Sequence, residues 1–215
     1  MTRKFLLIPW AIAIALAILG PNQPFSSRFL LDFLTYNTDA YEGYALSLFS
    51  ILGVFPLALF PLLWSEVNQL KPNPLLPAIS SFFVGGFLLA PYLAFARQSP
   101  YPTPVKPLPT RIFGVILLIV TIGLFIAAAN TGDVATYWSY VENNQFVRTM
   151  TVDFFLLASI QITLMNRDAK RYKMSLWPLP YIPLFGLLFW LIIRHQKPFN
   201  EAPQKRNVAN FTVKH

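Results

Sequence analysis

The chain has 215 residues, of which 55% are hydrophobic and only 12% are charged. Soluble domains carry about 25% charged residues, so this composition and a mean hydropathy of +0.49 argue against a soluble protein and indicate an integral membrane protein. The formal net charge is +8, but the basic residues lie at the ends of apolar runs, where cations anchor helices at lipid headgroups. We therefore expect the lipid bilayer as a partner, and no nucleic acid.

The first half of the chain contains three apolar runs. The first, Phe5–Gly20, could be a cleaved signal peptide, but Gly20-Pro21 forms a helix stop and no small-residue cleavage motif follows, so a membrane helix is favoured. A loop with phenylalanines at helical spacing, which predicts a short interfacial helix, leads to the second run, Tyr44–Trp64. The third run, Ala78–Ala96, ends at Arg97. Each run is close to the length that crosses a bilayer.

A proline-rich linker, residues 98–111, separates this half from a second set of apolar runs. Alternating prolines favour an extended polyproline conformation, which suits a connector. The loop 130–149 is polar with aromatic residues, like the loop of the first half. The three runs of the second half are Ile112–Ala129, Val152–Met165 and Trp177–Ile193.

The two halves therefore share one order of parts, which indicates an internal repeat. Their last runs end alike, with PYLAFARQSP at Pro91–Pro100 and FWLIIRHQKP at Phe189–Pro198. The predicted fold class is an all-α integral membrane protein with six transmembrane helices in two tandem three-helix halves. The predicted domains are residues 1–97 and 112–195, joined by the linker 98–111 and followed by a basic tail, 196–215.

An odd number of spans in each half would insert the second half upside down relative to the first. Inverted repeats are a known plan of secondary transporters. However, the prolines break the spans of the first half and only the start of the last span in the second. Counting cations on the two sides of six spans gives nine against eight, so the positive-inside rule decides no orientation.

The chain also resembles a known family. The segment from Asp153 through Asn166-Arg167-Asp168 to the apolar run that ends at Arg194 is similar to a family of small multi-pass membrane proteins of cyanobacteria and chloroplasts. PYLAFAR, at Pro91–Arg97, resembles the closing motif of that family. The resemblance implies a photosynthetic membrane as the source. It implies no chemistry, because none is assigned to the family.

Asp153 is the acidic residue nearest the interior of an apolar run. An ionisable residue inside a membrane is a candidate functional site, yet Thr151 and Asp153 also suit the first turn of a helix, where an acid complements the dipole. Capping is favoured over proton or ion handling. On the same run, Gln161 is expected to hydrogen-bond between helices rather than to contact a substrate.

A short basic turn, Arg167–Lys173, separates the last two runs. We expect it to act in membrane insertion and docking, because each cation beside an anionic membrane surface contributes about 1 kcal/mol. Its candidate functional residues are Arg167, Asp168 and Arg171.

Two further arginines, Arg97 and Arg194, end the last run of each half. We expect both to extend to lipid headgroups rather than to bind an anion. Cysteine is absent, which excludes disulfides and thiolate chemistry. The histidine that follows the second arginine, His195, could ligate a metal or a chlorophyll, but a lone histidine makes a weak site. The sequence identifies no cofactor.

No catalytic motif is present in the sequence, such as a zinc-protease, nucleophile-elbow or P-loop pattern. We therefore expect a non-catalytic accessory or assembly factor of a membrane complex, photosynthetic if the resemblance holds, in a thylakoid or plasma membrane. Two alternatives stay open. One is a small-solute or ion transporter built from inverted repeats, and the other is an intramembrane lipid or isoprenoid enzyme.

Overall fold

The computed structural model describes residues 3–100, 105 and 108–194, and most of these are helical, which confirms the all-α class. Within these described residues, three helices are long and apolar enough to cross a membrane, namely α3, α6 and α8. The helices are α1 (Leu7–Ile18, after a 3-10 turn at Arg3–Leu6), α2 (Phe29–Leu34), α3 (Gly43–Trp64), α4 (Leu75–Val84), α5 (Gly86–Phe95), α6 (Arg111–Thr131), α7 (Val134–Asn143), α8 (Gln145–Tyr172) and α9 (Phe185–Ile193). The strands are β1 (Leu70–Lys71) and β2 (Arg97–Gln98).

Helix α8 is the centre of the bundle. It packs against α1, α3, α5, α7 and α9, and its buried face contributes Leu157, Ile160 and Leu164 to the main apolar core. The end at which α8 terminates also carries the end of α3 and the end of α9. We call this the basic end of the bundle. The opposite end carries α2, α7 and a second, aromatic core around Phe33 and Phe146.

Helices α4 and α5 form a hairpin rather than one continuous span. Each has 10 residues and is therefore about 15 Å long, half of a bilayer core. The strands before and after the hairpin pair in antiparallel fashion, with Lys71 opposite Arg97. The chain thus enters and leaves the bundle at the basic end. It reverses at Gly85, whose φ of +62° favours glycine.

The segment 174–194 also leaves the basic end and returns to it, but its tip lies nearer to that end than the tip of α4–α5 does. We call the α4–α5 hairpin and the segment 174–194 the two hairpin segments. After α8 ends, the chain runs back along it until Leu184 donates its N–H to the Gln161 side chain, 2.9 Å away. Helix α9 then returns over 9 residues to Arg194, which contacts Asp168. Prolines at 178, 180 and 183 prevent an α-helix in the incoming limb, which contains only a 3-10 turn, Leu179–Tyr181.

Six full-length spans are therefore not confirmed, because the runs Ala78–Ala96 and Trp177–Ile193 each hold helices of half a span. Two loop predictions are also wrong. The region 130–149 contains α7 and the start of α8, which Asn144 caps by accepting from the Val147 N–H at 3.1 Å. The basic turn Arg167–Lys173 is instead the end of α8, whose C-cap is Lys173 in the left-handed region.

Candidate functional site

Most of the candidate residues lie along α8. The first group surrounds Glu66, a buried acid just after the end of α3. Glu66 is 1% exposed. Its carboxylate accepts from Arg167 Nη2 at 2.6 Å and from Arg171 Nη2, which are one helical turn apart on α8. Arg171 also donates to Gln69 Oε1 at 2.7 Å. These two arginines therefore fasten α8 to the chain that follows α3.

The second group fixes the end of α9. Asp168 accepts from Trp190 Nε1 at 2.8 Å and from Arg194 Nη1 at 3.1 Å. Arg194 is 5% exposed and also donates to Thr110 Oγ1 at 3.2 Å. The expectation that this arginine extends to lipid headgroups is wrong, because the buried carboxylate of α8 holds its guanidinium inside the bundle.

Gln161 holds the tip of the segment 174–194. It is fully buried. Its amide nitrogen donates to the carbonyls of Pro180 and Ile182 at 3.2 and 2.9 Å, and its oxygen accepts from the Leu184 N–H. The predicted hydrogen-bonding role is found, although the partner is irregular backbone rather than another helix.

Asp153 lies in the third turn of α8, so it does not cap that helix as expected. Its Oδ1 accepts the N–H of Gly86 at 2.7 Å, and Gly86 is the first residue of α5. It therefore caps a different helix, 67 residues earlier in the chain. A Cβ at Gly85 would overlap the Asp153 carboxylate, which explains the glycine at the turn.

An open cleft of about 620 Å³ adjoins this carboxylate. Its walls come from α2, α3, the α4–α5 hairpin and α8, and they are mainly apolar. Asp153 is the single ionisable residue among the described residues that line it. Such an apolar cleft with one charged group could accommodate a small amphiphile or an ion. Its aromatic lining consists of Phe33, Phe49, Phe82, Phe83, Phe87 and Phe146.

The remaining candidates stand apart. Arg97 is exposed on β2 and does not join either group on α8. His195 lies outside the described residues. Within the described ranges, no group of three His, Cys, Asp or Glu side chains could hold a metal ion.

Sequence reasoning missed Arg148 and Glu42, which organise the opposite end. Arg148 donates to the carbonyls of Leu16 and Pro21 at 3.0 and 3.1 Å, so it satisfies the exposed carbonyls after α1. Glu42 caps α3 and also accepts from the Asp133 N–H at 2.8 Å. An acid at the start of a long apolar run fits the enrichment of acids at helix starts, but the long-range contacts of Glu42 and Arg148 have no sequence signal.

Asp133, beside this cluster, caps α7. Its carboxylate accepts from the hydroxyl and the N–H of Thr136 at 2.6 and 2.8 Å. The hydroxyl, followed by the N–H, lowers the pKa of this carboxyl below that of an ordinary aspartate. Its ionised form is thus the one that stabilises the start of α7.

Comparison with known proteins finds no relative of this chain. The chain matches no protein-family model, no curated protein and no solved structure. The resemblance to membrane proteins of cyanobacteria and chloroplasts therefore stays a prediction.

Proposed function

We propose that the protein is a multi-pass membrane protein in which α1, α3, α6 and α8 cross the bilayer. In this topology the α4–α5 hairpin and the segment 174–194 enter from the basic end and return to it. Irregular backbone at membrane depth requires protein partners for its polar groups. Asp153 and Gln161 supply such partners at the two tips, which supports the proposal.

The charge distribution supports an orientation with the basic end in the cytoplasm or its plastid equivalent. Lysine and arginine concentrate on the cytoplasmic side of membrane proteins. Of the eleven with described side chains, two lie at the opposite end, Arg28 and Arg148, and nine at the basic end. The count of nine against eight over six spans arose because the two hairpin segments were treated as full crossings. The nine are Lys4, Lys71, Arg97, Arg111, Arg167, Lys170, Arg171, Lys173 and Arg194.

Because the chain lacks cysteine, single-cysteine labelling tests this topology directly. We expect Lys71→Cys and Gln98→Cys to react with an impermeant maleimide from the same side of sealed vesicles, and Ser139→Cys from the other. Labelling of the first two from opposite sides would contradict the hairpin and restore a third full span in the first half.

Within the membrane we propose a non-catalytic accessory or assembly factor of a larger complex, photosynthetic if the resemblance holds. The observation that carries this proposal is how α8 uses its ionisable residues. Glu66 and Asp168 each neutralise arginines and fix a neighbouring segment, so these groups hold the fold rather than face a reactant. A fold maintained by buried ion pairs, with apolar outer faces such as that of α6, suits a protein that binds other membrane components.

Co-purification tests the accessory role. A tagged protein extracted from native membranes with a mild detergent should carry a stoichiometric partner complex. Recovery as a free protein at every detergent concentration, after covalent cross-linking in the membrane as well, would count against it.

A second candidate, a small-solute or ion transporter, is favoured by one observation, namely the cleft beside Asp153. Proteoliposomes that contain the purified protein would then show uptake that Asp153→Asn abolishes. The asparagine oxygen can still accept from the Gly86 N–H, so the fold should be kept. Such uptake would favour the transporter over the accessory role. In the proposed topology each half has two crossings, so the halves would share one orientation, unlike inverted repeats.

A further inference from the structure

A pocket of about 590 Å³ opens at the basic end beside α8. Phe5 and Leu6, just before α1, form one wall, and the side chains of Gln69 and Gln98, next to the paired strands, form another. The third wall is α8. Its contributions are Ile162, Thr163, Asn166, Arg167, Lys170 and Arg171.

The lining of this pocket changes from apolar to basic along α8. Ile162 and Arg171 are nine residues apart, so the α8 wall extends over about 13 Å at 1.5 Å per residue. Ile162, with Phe5 and Leu6, forms the apolar part. The cations and amides lie towards the helix end, at the level expected for lipid headgroups.

The basic part carries more positive charge than its acids neutralise. Arg167 and Arg171 both bind the Glu66 carboxylate, and Arg171 also lies 3.9 Å from Asp168, the carboxylate that binds Arg194. Lys170 adds a further cation and is exposed at the pocket. Four cations therefore stand against two carboxylates, which leaves about two positive charges above an apolar slot. A water-soluble anion would bind the cations but would leave the apolar part of the pocket unfilled.

We propose that this pocket binds an anionic lipid, with the phosphate or sulfonate headgroup at Lys170 and the paired arginines and an acyl chain along Ile162 and Phe5. The amides of Gln69, Gln98 and Asn166 supply hydrogen-bond donors for the ester and headgroup oxygens. The inference rests on the membrane placement proposed above and not on the accessory role. A bound anionic lipid would bridge the start of the chain, the α4–α5 hairpin and α8.

The test measures lipid enrichment by the full-length protein. The protein is delipidated, reconstituted in phosphatidylcholine nanodiscs that contain a minor fraction of phosphatidylglycerol, and re-extracted, and the co-purifying lipids are quantified by mass spectrometry. We expect phosphatidylglycerol to be enriched. Lys170→Gln should reduce the enrichment about fivefold, as for the loss of one cation at an anionic surface, and Lys170→Arg should retain it.

Lys71→Gln is the matched control, because Lys71 is an exposed cation of the same end that does not line the pocket. It should leave the enrichment unchanged. An equal loss in both glutamine variants would replace the pocket with diffuse surface charge and overturn the proposal. Inorganic phosphate at millimolar concentration should not displace the lipid. Displacement by phosphate alone would assign the site to a free anion. The co-purification experiment tests the accessory role separately.

Discussion

The two hairpin segments, α4–α5 and 174–194, differ in what their tips require from α8. The α4–α5 tip is the start of a helix, so its unsatisfied groups are N–H donors, and Asp153 provides an acceptor for the Gly86 N–H. The tip of segment 174–194 follows a proline-rich limb that leaves carbonyls as well as an N–H without helical partners. Gln161 both donates and accepts there. The backbone conformation thus determines whether a carboxylate or an amide is suitable.

The segments differ again where they leave the bundle. In the α4–α5 hairpin, strand pairing between β1 and β2 holds the two ends together, and Tyr92 adds a hydrogen bond to the Pro72 carbonyl at 2.7 Å. The end of segment 174–194 is instead held by a buried charge, since Asp168 binds both Trp190 and Arg194. A backbone ladder tolerates side-chain changes, whereas a buried ion pair does not. The second segment should therefore be the more sensitive one.

The largest expected effect is that of Asp168→Ala. It leaves Arg194 buried without its carboxylate, which should cost about 3–5 kcal/mol and release α9. The measurement is unfolding by SDS in mixed micelles, followed by tryptophan fluorescence, to which Trp190 contributes as one of five tryptophans.

The double variant Asp168→Ala with Arg194→Met serves as its control. Removal of both charges should recover part of the lost stability. A double variant as unstable as the sum of the two single changes would show that the ion pair does not close the segment.

Gln161→Leu should have the next largest effect, about 2–3 kcal/mol, because buried backbone groups lose their partners.

The comparison of the two tips becomes sharper when the amide of Gln161 and the carboxylate of Asp153 are each changed into the other group. Gln161→Glu removes both donors and should destabilise, whereas Asp153→Asn keeps an acceptor and should cost less than about 1 kcal/mol. Equal costs for these two changes, measured in the same unfolding assay, would contradict the assignment of donors and acceptors to the two tips.

Gly85→Ala should cost about 2 kcal/mol, because an L-residue is strained at this positive φ and its Cβ would overlap the Asp153 carboxylate. Gly53→Ala, in α3, is the matched control. A Cβ there meets nothing within 4 Å, so the change should be neutral or stabilising. Thermal denaturation of both variants checks the difference, and similar melting temperatures would exclude a strained turn at Gly85.

The smallest effect concerns Asp133, which lies outside both segments. Because its pKa is lowered in the folded state, its stabilisation is complete above the unfolded pKa of about 3.9 and is lost as the pH falls through the folded pKa. Thr136→Val removes the hydroxyl donor and should raise the pKa, measurable by NMR titration of the carboxyl. Neither hairpin segment should change its cysteine-labelling pattern. A change there would show that the two ends of the bundle are coupled.

Several features followed from the sequence because they depend on local chemistry. The lengths of the apolar runs predict the all-α class, which is confirmed, and the runs Tyr44–Trp64 and Ile112–Ala129 correspond closely to α3 and α6. The helix predicted from phenylalanine spacing in the first loop is present as α2. Apolar length and helical period are properties of a single segment, so no distant contact is needed to predict them.

Tertiary structure decides that the third run of each half does not form one continuous helix. A run of 19 residues from Ala78 to Ala96 has the hydropathy of a full span, and hydropathy does not reveal that it folds back at Gly85. The reversal depends on a carboxylate 67 residues away, just as the fate of Arg194 depends on Asp168. Glu66, which lies in a short polar turn, gave no signal because its two arginine partners are more than 100 residues distant. The sequence by itself determines which segments are apolar. Only the packing around α8 decides where each one turns back, because buried polar groups must find partners that are close in space but remote in the chain.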